Sequence, residues 1–411
     1  MRGPGEEKHV SHLNRRQALR LFAAAGAAGL SAPILSACSS DDTTDSTAVP
    51  SGPPIKIGMI VPQTGMFKDF GNDIDNGFSL YLQQHGNKLG GRPVTVVKAD
   101  EGETADSGKA AAAKLVKEDK VLAITGVANP AAILAMKPDI EASTIPLIGS
   151  SAAPRALQVL GAKYIWITSF VSDEPGAAIA RWAVGNAGGQ LAVFGQTSPA
   201  GDDDDVAGFV EQYKSAGGSI SGQARTVAYG SKDFGAALTQ VKNSGAQAMY
   251  ALFNGASAVE FVKQYKSMRF PATFKLFGAG TLTEGFVLKQ EGDSAKDIYT
   301  ALNYSPDLDN VANRRFVADY QKAFGTVPST YAMSSFDAAA VLDKAIADAT
   351  RNLDSVTLNA AIGRLGQIDS PRGGWQFSQT RTPLQRWYLR QVRTDGAVLS
   401  NVLTAELATR G

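Results

Sequence analysis

From residue 55 onward the chain repeats one pattern, a short apolar run followed by an amphipathic stretch. Ile55-Lys56-Ile57-Gly58-Met59-Ile60-Val61 predicts a buried strand, stopped by Pro62 and a turn through Gly65. Apolar residues at Ile74, Phe78, Leu80, Tyr81 and Leu82 fall near helical spacing and predict a helix over residues 73–84. Residues 94–97, 121–124, 145–148 and 164–167 read as further strands, with helices over 108–119 and 130–142 between them. Such alternation favours parallel strands with crossover helices, buried on both faces. The pattern then begins again, with strands at 191–194, 225–229, 248–253 and 274–277 and helices at 204–216, 234–244, 256–268 and near Phe286. Two series of similar length predict an α/β protein of two Rossmann-like lobes with parallel sheets rather than one barrel. Beyond Asn303 long helical stretches at 311–324 and 331–349 take over, and these are expected to return and pack on the first lobe.

The first fifty residues follow a different logic. Asn14-Arg15-Arg16-Gln17-Ala18 precedes an uncharged Ala- and Gly-rich run from 21 to 34, too short to span a bilayer and suited to a signal peptide. The paired arginine resembles a twin-arginine export signal, although Ala18 stands where an aromatic residue is usual, so the general export route stays open. Leu35-Ser36-Ala37-Cys38 resembles a bacterial lipobox, with Cys38 as the lipidated residue, and residues 1–37 are the expected leader. Residues 38–54 are small, polar and acidic, the composition of a flexible tether. The expected location is the extracytoplasmic face of the cytoplasmic membrane, in the cell envelope, as a lipoprotein.

Composition narrows the chemistry. The chain has 411 residues, a net charge of +1, one cysteine and three histidines, two of which precede the leader's apolar run. A near-neutral body is poorly suited to nucleic acid. One histidine, His85, in the folded part leaves a Ser-His-Asp or Cys-His engine without its base and orienting partner, and no metal or other cofactor is expected. Neither a phosphate-cradling Gly-x-x-x-x-Gly-Lys-Ser/Thr loop nor any other sign of nucleotide hydrolysis occurs. Asp202-Asp203-Asp204-Asp205 reads as a solvated helix start favoured by the macrodipole, since calcium loops space their ligands at alternate positions. Asp100-Glu101 reads as a polar loop.

In open parallel sheets ligands bind beyond the carboxyl ends of the strands. Three loops there are small and polar: Pro62-Gln63-Thr64-Gly65, Gly126-Val127-Ala128-Asn129-Pro130 and Gly149-Ser150-Ser151-Ala152-Ala153-Pro154. Their side chains and backbone N–H groups suit a carboxylate, while for any single Ser a plain helix cap is the competing role.

These loops, with Gly71, Asn76-Gly77, Leu89-Gly90-Gly91-Arg92-Pro93-Val94, Lys232-Asp233-Phe234, Gly255, Phe261-Val262-Lys263-Gln264-Tyr265, Pro328-Ser329-Thr330-Tyr331-Ala332, Phe336-Asp337-Ala338 and Ser370-Pro371-Arg372-Gly373, resemble the solute-binding proteins of branched-chain amino acid ABC importers. The resemblance implies the type 1 periplasmic binding protein fold: two lobes joined by three crossing strands, near Phe170, Asn303 and Pro371. Residues 55–170 with 304–371 would form lobe one, and 171–303 with 372–405 lobe two. It implies a small-molecule ligand and ABC permease subunits as partners, without catalysis. The expected solute is polar or carboxylate-bearing: an amino acid, or a related aromatic acid or amide. A sensor subunit of a signalling system and, behind it, an exported enzyme are the alternatives. By the resemblance, the loops at Asn129 and Ala131 and at Ser151, Ala152 and Ala153 would hold a carboxylate, and Phe70 would pack on the ligand. The position that usually supplies a Glu for a ligand ammonium is Gly280, beside Thr281, and two tyrosine positions fall at Ala200 and Asn254.

Overall fold

The computed structural model describes residues 52–411 apart from Met66, Leu160, Ala200, Thr350 and Arg351. The leader, Cys38 and the tether up to residue 51 lie outside the described residues.

The first sheet has six strands in the order β2-β3-β1-β4-β5-β6. They are β1 (Ile55–Val61), β2 (Lys88–Leu89), β3 (Arg92–Asp100), β4 (Ala123–Gly126), β5 (Leu147–Gly149) and β6 (Ile165–Ile167). Every neighbouring pair is parallel except β2 with β3. Ile57, Met59 and Ile60 of β1 are fully buried, as a strand covered on both faces requires. Helix α1 (Lys68–Gln84) starts earlier than the apolar spacing predicts, and its Gly77 explains how closely it packs. A Cβ on Gly77 would lie 2.0 Å from the carbonyl oxygen of Ala332, in the long helix Thr330–Asp348. That helix and Val311–Phe324 do return to the first lobe, burying Tyr320, Met333, Val341 and Ile346 against it.

The second sheet has eight strands. Its path runs β12-β13-β11-β10-β9-β7-β8, with β14 beside β13. Strands β7 (Leu191–Gln196), β8 (Arg225–Val227), β9 (Ala248–Leu252), β10 (Lys275–Ala279) and β11 (Tyr299–Leu302) are parallel where they meet. Strands β12 (Gln376–Phe377), β13 (Pro383–Asp395) and β14 (Val398–Arg410) add antiparallel edges. The helices Glu174–Asn186 and Ser355–Arg364 and the β13–β14 hairpin are absent from the sequence reading. Trp387 and Leu389 bury one face of β13 and Val392 the other, while the buried polar Gln385 and Arg390 obscure its apolar alternation.

Two lobes with parallel-rich sheets are thus present, and the crossing segments are tied together. Asn303 donates to Ser169 O at 3.1 Å and to Gln385 Oε1 at 2.9 Å. The buried Arg372 guanidinium donates to Thr168 O at 2.6 Å, lies 2.9 Å from Asp337 and also reaches Gln385. After Pro371 the chain contacts both lobes: Trp375 and Phe377 join the first lobe's core and Arg381 O accepts the Ile167 N–H at 3.0 Å, while β12 pairs with β13 of the second sheet. At its far end the second lobe runs past residue 405, through β14.

Candidate ligand cleft

A cavity of about 90 Å³ lies between the lobes, at the carboxyl ends of the parallel strands. Rings make up much of its wall. Phe67 and Phe70 from the first lobe meet Tyr229 from the second, with Tyr331 also on the wall, and Phe286 packs behind Phe70. Phe67 and Tyr229 stack at 5.9 Å with 13° between planes, while Phe70 sits edge-on to Phe286 at 5.2 Å and to Tyr331 at 4.9 Å. Phe170 completes the apolar lining and is fixed from behind by Trp387 at 5.6 Å.

On the first lobe, Ser151 and Ala152 line the cavity, but Ala153 does not. Its N–H is spent on Phe170 O at 2.9 Å, its carbonyl takes the Ser172 N–H at 2.9 Å, and the loop is thereby pinned to the first crossing segment. The Asn129 loop differs more from expectation. Asn129 and Ala131 bond to each other, the Asn129 Oδ1 accepting the Ala131 N–H at 2.9 Å, which is the cap role. Ala128 and Pro130 form the cavity wall there instead. What holds this turn is Glu101, read in the sequence as a loop residue. It is fully buried, and its two oxygens accept the Ala128 and Asn129 N–H groups at 2.8 Å each. Burial pushes its carboxyl up to about 7, against the pull of those two N–H groups.

On the second lobe, Asn254 and Thr281 line the cavity, and Thr281 donates to Phe253 O at 3.3 Å. Gly280 does not line it. A side chain there would start 2.6 Å from Leu302, in the core, and the Gly280 carbonyl accepts Arg390 Nη2 at 3.2 Å. The position cannot present an acid to a ligand without displacing Leu302. Ala200 lies outside the described residues.

The aspartate run does open a helix, Asp204–Ser215, but it is not wholly solvated: Asp202, Asp203, Asp204 and Asp205 all line the cavity, and the last is only 4% exposed. Asp204 accepts the Arg155 N–H across the lobes at 2.8 Å and the Ser172 hydroxyl within its own at 3.0 Å, and burial raises its pKa. Asp205 accepts the Tyr250 hydroxyl, and burial pushes it up to about 7. The apolar neighbours Val206 and Phe209 draw this helix start inward, a pull that counting charges misses. Among the rings, Phe67 could have been found from its place in the Phe70 loop. Tyr331 sits inside a motif noted in the sequence but given no role there, and nothing local marks Tyr229.

A family model described as periplasmic binding protein matches residues 54–397. The chain belongs to that family. Among periplasmic binding proteins, it is 28% identical over 346 residues to the Leu/Ile/Val-binding protein homolog 6 of Brucella melitensis, covering 82% of this chain and 87% of that one. A solute-binding protein of an ABC transporter from Rhodopseudomonas palustris, solved with 3,4-dihydroxybenzoic acid, has 28% identity and a TM-score of 0.80, covering 87% of this chain and 98% of the other. A second from R. palustris, solved with benzoate, has 27% identity and a TM-score of 0.77, with 86% and 98% covered. The family and these structures are of binding proteins.

Proposed function

We propose that this periplasmic binding protein is the lipid-anchored receptor of an ABC importer and that its solute is a small aromatic acid. The observation that carries the reading is the ring-lined cleft. Phe67, Phe70, Phe170, Tyr229 and Tyr331 give the space its apolar faces, with Ser151, Asn254, Thr281 and the aspartate run as polar groups on its wall. Offset and edge-on ring contacts favour an aromatic guest beyond the area buried. The similar proteins solved with benzoate and with 3,4-dihydroxybenzoic acid support it. The Glu that the family resemblance implies for an ammonium would fall at Gly280, which is turned into the core, so a branched-chain amino acid would have to offer its ammonium to the aspartate run instead. In this reading Ser151 and Ala152 take the carboxylate, Phe70 and Tyr331 take the ring, and Asn254 and Thr281 close over the distal part. The first lobe is residues 55–170 with 304 to about 382, the second the remainder, and Cys38 carries the lipid.

Thermal unfolding with a panel of aromatic acids, amino acids, amides and polyols tests the reading. A ligand present at 100 times its Kd adds about 2.7 kcal/mol of stability, because it binds only the folded state. Stabilisation by an amino acid or a polyol, with none by any aromatic acid, sinks it.

A further inference from the structure

The turn that follows β4 holds a residue in a conformation its side chain disfavours. Val127 has φ 65°, in the left-handed region, although it is β-branched. Among the described non-glycine residues with positive φ, Thr144 is the other β-branched one, and it ends the helix Pro130–Ser143, where such a conformation is ordinary. Val127 stands instead in the middle of a turn, with its side chain fully buried in the core and its N–H on Ile60 O at 2.7 Å. Strain of this kind persists only where the surroundings over-determine it, and it gathers at functional sites. The next two residues supply the constraint, since the Ala128 and Asn129 N–H groups both meet the Glu101 carboxylate. Glu101 is itself fixed, its N–H on Val61 O at 3.1 Å and its carbonyl accepting the Ser107 hydroxyl at 2.7 Å.

We propose that Glu101 is a positioning residue for solute binding: its carboxylate holds Val127 in the left-handed form and so sets the Ala128–Pro130 stretch of the cleft wall. The inference rests on the aromatic-acid reading of the cleft and deepens it. Glu101 is 0% exposed and touches no solute, so it acts only through the peptide groups of the turn, while Ala128 and Pro130 present their surface to the cavity. An ionised carboxylate accepts on both oxygens and can gather two successive N–H groups at once. A glutamine there accepts one and turns its own N–H toward the other. With the clamp weakened, Val127 relaxes to negative φ, the peptide that follows it rotates, and Ala128 leaves the wall.

Calorimetric titration of the full-length chain with benzoate and 4-hydroxybenzoate, at pH 8 so that Glu101 is ionised, tests this in a cycle of two substitutions. Glu101→Gln keeps the volume and is expected to weaken both acids at least about tenfold. Glycine adopts φ 65° without strain, so in a Val127→Gly background the same Glu101→Gln change should cost less than about threefold. A glutamate that served stability alone gives no such suppression, because Val127→Gly also opens a core cavity and makes the fold weaker. Amide exchange of the solute-free protein gives a second reading. In the wild type the Ala128 and Asn129 N–H groups should exchange at least about a hundredfold more slowly than unbonded amides; in Glu101→Gln that protection should fall, and in the double variant return. Wild-type affinity for both acids in Glu101→Gln, or an equal loss in the two backgrounds, overturns the inference and leaves the aromatic-acid reading standing. Unprotected exchange of these two amides in the wild type does the same, even if a variant fails to fold. Failure of the wild type to bind either acid overturns both.

Discussion

Ser151 shows how single side chains divide the work of the cleft. It lines the cavity in a loop pinned on either side, with Ser150 N–H on Gly126 O and Ala153 N–H on Phe170 O, each at 2.9 Å. A Ser151→Leu side chain has no room to swing aside and would set apolar surface against the carboxylate, an unmet polar group costing about 1–3 kcal/mol. Binding of every aromatic acid should weaken at least tenfold in calorimetry, and retention of any one at wild-type affinity contradicts the role given to the loop. At Cys38, substitution to Ser should move the protein from the membrane fraction to the soluble envelope fraction, and tight retention of that variant would refute the lipid anchor. The candidate site was half legible in the sequence. Phe70, Ser151, Ala152, Asn254 and Thr281 line the cavity, and they sit where strand ends and small polar loops indicate. Asn129, Ala131, Ala153 and Gly280 do not, because loop position says nothing about which way a residue turns. For Asn129 and Gly280 a residue distant along the chain decides it: Glu101 for the turn at Asn129, Leu302 for Gly280.

Among the elements, the parallel strands were the easiest to read because both faces are buried and the apolar runs are unbroken. The β13–β14 hairpin was missed although Asp395-Gly396 marks its turn, with Gly396 at φ 65°. Arg390 accounts for the miss, a fully buried cation in mid-strand paired with Glu284 at 2.7 Å. No local pattern announces such a pair. Helix α1 was placed correctly but its start was not, because the rings at its first turn, Phe67 and Phe70, pack on Tyr229 and Phe286 across the cleft rather than following the apolar spacing. The contact of α1 with Thr330–Asp348 leads to a direct prediction. Gly77→Ala drives a methyl into the Ala332 carbonyl, so the helices must part. The variant should lose about 1–3 kcal/mol in denaturant unfolding. A gain in stability, as the higher helix propensity of alanine alone suggests, would show that the helices separate freely.

Taken as one body, the protein carries several buried carboxyls displaced in the same direction. Burial is the leading cause for each. It raises Asp73, Glu101 and Asp205 to about 7, Glu174 to about 8, Glu291 to about 9 and Asp337 to about 6, from ordinary values of 3.8 and 4.5. The folded state therefore holds these protons more tightly than the unfolded chain does. Their contribution is most favourable below pH 4.5 and is lost as pH rises through the folded values, from about 6 to about 9. The ligand-free melting temperature should be at least about 2 °C higher at pH 5.5 than at pH 8.5, since each displaced unit is worth about 1.4 kcal/mol. A melting temperature that falls over this interval on acidification contradicts the assignment.

The Phe67–Tyr229 stack has a consequence in time rather than in energy. The two rings belong to different lobes and stack face to face at the cavity wall, so the lobes cannot part without breaking this contact. Association should then be set by how often the lobes part, saturating with solute concentration in stopped-flow traces instead of rising to the diffusion limit. Removing one leaf of this gate in Phe67→Ala should raise the capture and release rates together, while the equilibrium constant changes far less than either. For a receptor that must hand its cargo on, the rate at which these rings part then sets an upper limit on the flux it can feed.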